Sequence, residues 1–108
     1  MKLMTKEIQE KLPELYSQDG KKKEEVGVVV KYFSPFSNWT WYITEGNKEG
    51  DDYRFFGLVS GFEVEYGYVM LSELKSVTGP MGLKIERDLN WKGTLRDATN
   101  EIKQRRSA

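Results

Sequence analysis

The sequence contains neither cysteine nor histidine. Without cysteine no disulfide can form, and no thiolate is available to attack a substrate or hold zinc. Without histidine the commonest general base and the commonest transition-metal ligand are both missing. A structural zinc site, a Ser-His-Asp triad and a Cys-His pair are therefore excluded by inventory, and no pH switch in the neutral range is expected. A surplus of charge is lacking too: 17 basic and 17 acidic side chains cancel. A strongly cationic nucleic-acid binder would carry an excess of lysine and arginine, so only a local basic face remains open. Long apolar runs are also absent. No stretch approaches the roughly 20 residues that span a bilayer, and the first residues, MKLMTKEIQEKLPELY, offer no run of signal-peptide length. The expected location is the cytoplasm.

What is present suits one small domain. The chain has 108 residues, of which 38% are hydrophobic and 13% aromatic, enough for a real core. Thr5 precedes Ile8, Leu12, Leu15 and Tyr16 at helical spacing, which predicts a capped N-terminal helix ending by Tyr16, with a break or kink near Leu12 because of Pro13. The polar run through residues 19–25 reads as a solvated loop. Val26–Phe33, with three consecutive valines, predicts a strand. Asn38–Glu45 predicts its hairpin partner, with Trp39, Trp41 and Ile43 on one face and Asn38, Thr40, Tyr42 and Thr44 on the other.

Gly46–Asp52 reads as a polar turn. Tyr53–Phe62 and Phe62–Met70 read as two further strands. In the last of these Phe62, Val64, Tyr66, Tyr68 and Met70 share a face, opposite Glu63, Glu65, Gly67 and Val69, as in a meander with one face covered and one partly wet. Leu71–Val77, with Ser72 as its cap, predicts a short helix. Leu83–Trp91 is an edge strand or an ordered loop. Thr94 and Asp97 form a capping box for a last helix whose tail, residues 103–108, is expected to fray. The predicted class is α+β: an N-terminal helix, a mainly antiparallel four- to five-stranded sheet, a short helix and a C-terminal helix.

Three groups of side chains are candidates for chemistry or recognition. Glu63 and Glu65, at i and i+2 on a strand, project to one side about 6.6 Å apart, a spacing that suits a hard cation or paired-carboxylate hydrolysis and equally a wet sheet face. Trp39, Trp41, Tyr42, Phe55 and Phe56 concentrate aromatic area. With Lys31 and Arg54 they would make a platform for single-stranded nucleic acid; as core residues they need no ligand. Tyr32, Tyr42, Tyr53, Tyr66 and Tyr68 suit a protein interface, because phenol rings give contact area at low entropy cost. Glu86, Arg87 and Asp88 form a compact charged triplet that either ties a loop down or contacts a ligand. Arg96, Lys103, Arg105 and Arg106 make a basic patch at the end of the chain, either for phosphate contact or to balance a helix dipole.

The stretches VVVKYFSPFSNWTWYITEG, FFGLVSGFEVEYGYVMLSEL and KSVTGPMGLKIERDLNW, in this order, resemble a family of small bacterial and phage proteins catalogued as domain of unknown function 2958. The resemblance runs from about Met1 to Leu95. It implies genes carried on plasmids, phages and integrated elements, and it carries over no catalytic residue. The positions that match the family pattern are Asn38, Trp39, Thr40, Trp41, Phe56, Gly57, Phe62, Glu63, Glu65, Glu86, Arg87 and Asp88. The leading expectation is a non-enzymatic protein-interaction module of a mobile element, without cofactor and without membrane. Single-stranded nucleic-acid binding and a carboxylate-based metal site or hydrolase are the alternatives.

Overall fold

In the computed structural model, which describes residues 1–107, Thr5 accepts the Ile8 amide and starts helix α1 (Lys6–Lys11). The helix stops five residues before the apolar spacing predicts. Leu12 precedes Pro13, whose ring disfavours helical geometry at the preceding residue, and Leu12 is extended (φ −69°, ψ 116°). The chain then runs as a strap tied by its amides. Leu15 N–H donates to Asn47 Oδ1, while the amides of Tyr16 and Gln18 donate to the two oxygens of the buried Glu45 carboxylate, at 2.8 and 3.0 Å. Tyr16 sits at φ +73° to aim its amide this way, a conformation costly for a side chain of its size. The polar run predicted as loop contains one 3₁₀ turn, Lys23–Glu25.

The valine run changes partner midway, so strand β1 (Val30–Phe33) is half the predicted length. Before it, Val28 N–H donates to the Gly93 carbonyl, and the Val26 carbonyl accepts Leu95 N–H, which ties this segment to the C-terminal part of the chain. Strand β2 (Thr40–Glu49) pairs with β1 and then with β3 (Asp52–Ser60). The predicted turn at 46–52 is reduced to Gly50–Asp51, because β2 continues to Glu49 and Gly50, at φ +62°, supplies the left-handed corner. A bulge at Thr44 lets β2 continue with Glu45 opposite Phe56.

Strand β4 (Val64–Met70) follows, then helix α2 (Leu71–Ser76), the two-residue strand β5 (Glu86–Arg87) and helix α3 (Leu95–Ser107). Helix α2 is capped at Met70, whose amide donates to Glu73 Oε1; Ser72, the predicted cap, instead bonds Asp52 from its amide and hydroxyl. Thr94 and Asp97 make the predicted box, with Thr94 N–H donating to Asp97 and Asp97 N–H to the Thr94 hydroxyl.

The five strands form one antiparallel sheet in the order β4-β3-β2-β1-β5. This is the expected α+β class. Each face carries its own core. On one, Val30, Tyr32, Trp41, Ile43 and Phe55 pack against Leu3, Ile8, Leu71, Leu74 and Ile85; on the other, Tyr42 and Leu58 pack against Val26 and the α3 residues Leu95, Ala98 and Ile102. The second face is covered over only part of its width. Val64, Tyr66 and Tyr68, on β4, stay 42–47% exposed.

The tail predicted to fray is helical to Ser107, and its arginines are the reason. Arg105 donates to the Tyr42 hydroxyl at 3.0 Å, and Arg106 donates to Ser60 Oγ and the Gly61 carbonyl at 3.1 and 2.8 Å. The predicted basic patch is thus partly spent on holding α3 to the sheet. Ala108 lies outside the described residues.

Candidate recognition pocket

Trp41, Val59 and Glu65 stand in one row across β2, β3 and β4, in direct register. The next row is Ile43, Gly57 and Gly67. Two facing glycines leave the sheet surface without side chains there, and an ideal Cβ at Gly67 would meet nothing within 4 Å. Helix α2 crosses beside this gap. The result is a pocket of about 330 Å³ lined by Trp39, Trp41, Val59, Glu65, Gly67, Tyr68, Val69, Glu73, Leu74 and Val77.

Its chemistry is apolar below and acidic at the rim. Val59, Val69, Leu74 and Val77 give the floor, two indoles give one wall, and Glu65 and Glu73 bring two carboxylates. No lysine or arginine lines it. Glu65 has no ion-pair or hydrogen-bond partner among the described residues, and one oxygen of Glu73 caps α2. Trp39 is positioned from three sides: its ring lies over Gly61, where a Cβ would come within 2.5 Å, 5.8 Å from the Trp41 ring and edge-on to Phe62 at 5.4 Å. Phe62 itself is 90% exposed, in the turn before β4 rather than on the strand.

The structure therefore unites three of the sequence candidates, Trp39, Trp41 and Glu65, and adds Glu73, which sequence reasoning missed. A glutamate three residues into a predicted helix reads only as a cap. The other candidates lie elsewhere. Glu63 is exposed in the 61–63 turn and outside the pocket lining. No group of three or more metal-ligating side chains occurs among the described residues. Tyr42 projects to the opposite face from Trp41 and is fully buried, so the aromatic platform of Trp39, Trp41, Tyr42 and Arg54 is not assembled. Arg54 is held by Glu49 through Nε and Nη2, at 2.7 and 3.1 Å, at the far end of the hairpin.

The Glu86–Arg87–Asp88 triplet ties the sheet edge to its surroundings. Glu86 and Arg87 pair with Phe33 and Tyr32, and Arg87 Nε donates to the Lys2 carbonyl at 2.7 Å. Asp88 accepts the Asn90 and Trp91 amides and lies 3.4 Å from Lys31 Nζ. Lys31 is not available as a charge for a nucleic-acid platform. It is buried, with its ammonium 2.7 Å from Glu101 and 5.4–5.5 Å from the ring centroids of Tyr42 and Trp91. Burial raises the Tyr42 hydroxyl far above its ordinary pKa, with Arg105 opposing and Glu101 adding to the rise. The buried Lys31 joins the partly exposed Asp88 and Glu101, 57 and 70 residues away in sequence, in an ionic knot that no local pattern announces.

Among the described residues no helix is long and apolar enough to cross a membrane. A family model described as "Protein of unknown function (DUF2958)" matches residues 3–102. No curated protein and no solved structure matches the chain.

Proposed function

The chain belongs to the DUF2958 family, whose description assigns no chemistry, and from its geometry we propose that it is a protein-interaction module that takes a basic side chain of a partner into the Trp39–Trp41 pocket. One observation carries this reading: two indoles and two carboxylates surround a hollow above Gly67 with no cationic side chain in its lining. A guanidinium or ammonium on an apolar stem satisfies every part of that lining. The stem lies on the valine floor, the charge meets Glu65 and Glu73, and the indole faces add a cation–π contribution of about 0.5–2 kcal/mol. Tryptophan anchors of this kind dominate interface energetics. The same carboxylates oppose a phosphate backbone at these tryptophans, so the protein partner is the reading the geometry favours over single-stranded nucleic acid. The resemblance to plasmid- and phage-borne proteins suits a partner drawn from the element or its host.

The test uses two blocked tripeptides, one centred on arginine and one on its neutral isostere citrulline, titrated while indole fluorescence is followed. The arginine peptide should bind with a Kd of about 1 mM, as one anchoring side chain warrants, and the citrulline peptide more weakly. Gly67→Leu, whose Cβ meets nothing within 4 Å and whose side chain would occupy the hollow, should abolish the difference. Equal responses to the two peptides, or an unchanged response in Gly67→Leu, would refute the proposal.

A further inference from the structure

We infer that the partner segment is an extended, basic strand that adds to the free edge of β4; this rests on the pocket reading above and specifies the partner's conformation. The sheet has two edges, and the protein treats them differently. At one, β5 is two residues long, and its Arg87 is bonded to the N-terminal Met1 and Lys2. At the other, β4 runs for seven residues, VEYGYVM, about 23 Å, and none of the described residues pairs with its outer side. Proteins ordinarily protect such an edge with proline, lysine, a bulge or a very short strand. β4 has none of these: it holds no proline and no lysine, and it stays in unbroken register with β3 from Ser60–Val64 to Arg54–Met70.

The two faces of β4 state what an added strand must carry. On one face Glu65 and Gly67 open onto the acidic pocket, with Glu73 beside it. On the other, Val64, Tyr66 and Tyr68 stand half-exposed, with Phe56 stacked on Tyr66 at 12° between ring planes. Side chains of an added strand alternate between the same two faces. The partner sequence that fits therefore alternates lysine or arginine, facing the pocket, with apolar or aromatic residues, facing the tyrosines. A second copy of this chain does not fit, because β4 brings no basic residue to place in the pocket and adds Glu65 of its own. Backbone hydrogen bonds along the edge would supply affinity, and the pocket would choose the residue.

The experiment uses a blocked heptapeptide alternating arginine and valine, with a control of the same composition in which the arginines are grouped together. Amide exchange along 64–70 is read by NMR together with indole fluorescence. The alternating peptide should slow every second amide of β4 about tenfold or more at saturation, the outward-facing set, and should change the fluorescence; the grouped control should slow none of these amides and change the fluorescence no more than the single-arginine tripeptide does. Fluorescence change without slowed β4 amides would overturn strand addition and leave the pocket reading standing. Slowed alternate amides that persist in Gly67→Leu would support strand addition and remove the pocket. Neither signal would overturn both. Slowing that appears without peptide as the protein is concentrated, with a dimer mass in sedimentation, would overturn the basic strand in favour of a second copy.

Discussion

Gly57 and Gly67 face each other across β3 and β4, yet the same substitution at the two positions should have opposite consequences. A Cβ at Gly57 would lie inside the contact distance of the Tyr42 carbonyl oxygen, 2.8 Å from the Tyr42 carbonyl carbon and 2.9 Å from Ile43 Cα, where ordinary contact begins at 3.4 Å. All three atoms are backbone of the neighbouring strand, so no rotamer change relieves them. The strands must separate locally, and β2 is the central strand of the sheet. Overpacking a core costs about 1–3 kcal/mol; with backbone on the opposing side the cost of Gly57→Ala should reach about 3 kcal/mol. For a domain of this size that lowers Tm by roughly 12–20 °C. Gly67→Ala meets nothing within 4 Å and restricts the unfolded chain, so it should be neutral or stabilising by about 0.5 kcal/mol. Urea unfolding followed by tryptophan fluorescence and far-ultraviolet circular dichroism gives both values. A Gly57→Ala protein within 1 kcal/mol of wild type (a third of the overpacking cost), or a Gly67→Ala protein as damaged as Gly57→Ala, would refute the account of how the pocket's floor is built.

Three further outcomes follow from the packing. Lys31→Met removes the cation between Glu101 and Asp88; removing one partner of a buried pair costs about 3–5 kcal/mol, and because both carboxylates keep about a quarter of their exposure the loss should fall near 3, recovered in part by adding Glu101→Gln in a double-mutant cycle. Glu45→Ala leaves the Tyr16 and Gln18 amides without their acceptor and should cost about 2 kcal/mol in chemical denaturation, with proteolysis of residues 13–18 rising first. Asp52 and Asp97 both have carboxyls held below the ordinary 3.8 by hydrogen bonds, from Ser72 and from Thr94 respectively. A depressed pKa contributes stability that is full above the unfolded value and is lost as pH falls through the folded one. Thermal stability should therefore fall as pH drops below about 4, and Asp97→Asn should flatten that acid limb; an unchanged limb would remove the cap from the account.

Much of the architecture was legible because it depends on local periodicity. The alternation through Trp39–Thr44 assigned Trp41 and Tyr42 to opposite faces, and both became core because helices cover both faces. Thr94 and Asp97 announced α3, since a capping box is a local hydrogen-bond pattern. Pro13 ended α1 early for a local reason; where β1 and the tail departed from the reading, a distant partner intervened. Val26–Val28 left the first strand to pair with residues 93–95. Residues 103–107 stayed helical because Arg105 and Arg106 reach Tyr42, Ser60 and Gly61. The tyrosine face of β4, the more apolar one, stayed half-exposed because α3 reaches only part of that side.

The sequence by itself determined the class, the order of elements and an inventory without cysteine and histidine, because these rest on composition and on repeats of two and of 3.6 residues. Only the tertiary structure decided which glutamate meets the tryptophans. Glu65 reaches Trp41 through the β2–β3–β4 register, and Glu73 arrives from a separate helix. Glu63, two residues before Glu65 and its equal in any sequence pattern, is left in a turn. A pocket is a statement about neighbours in space, and strand pairing, which follows from the packing of the whole chain, is what supplies them.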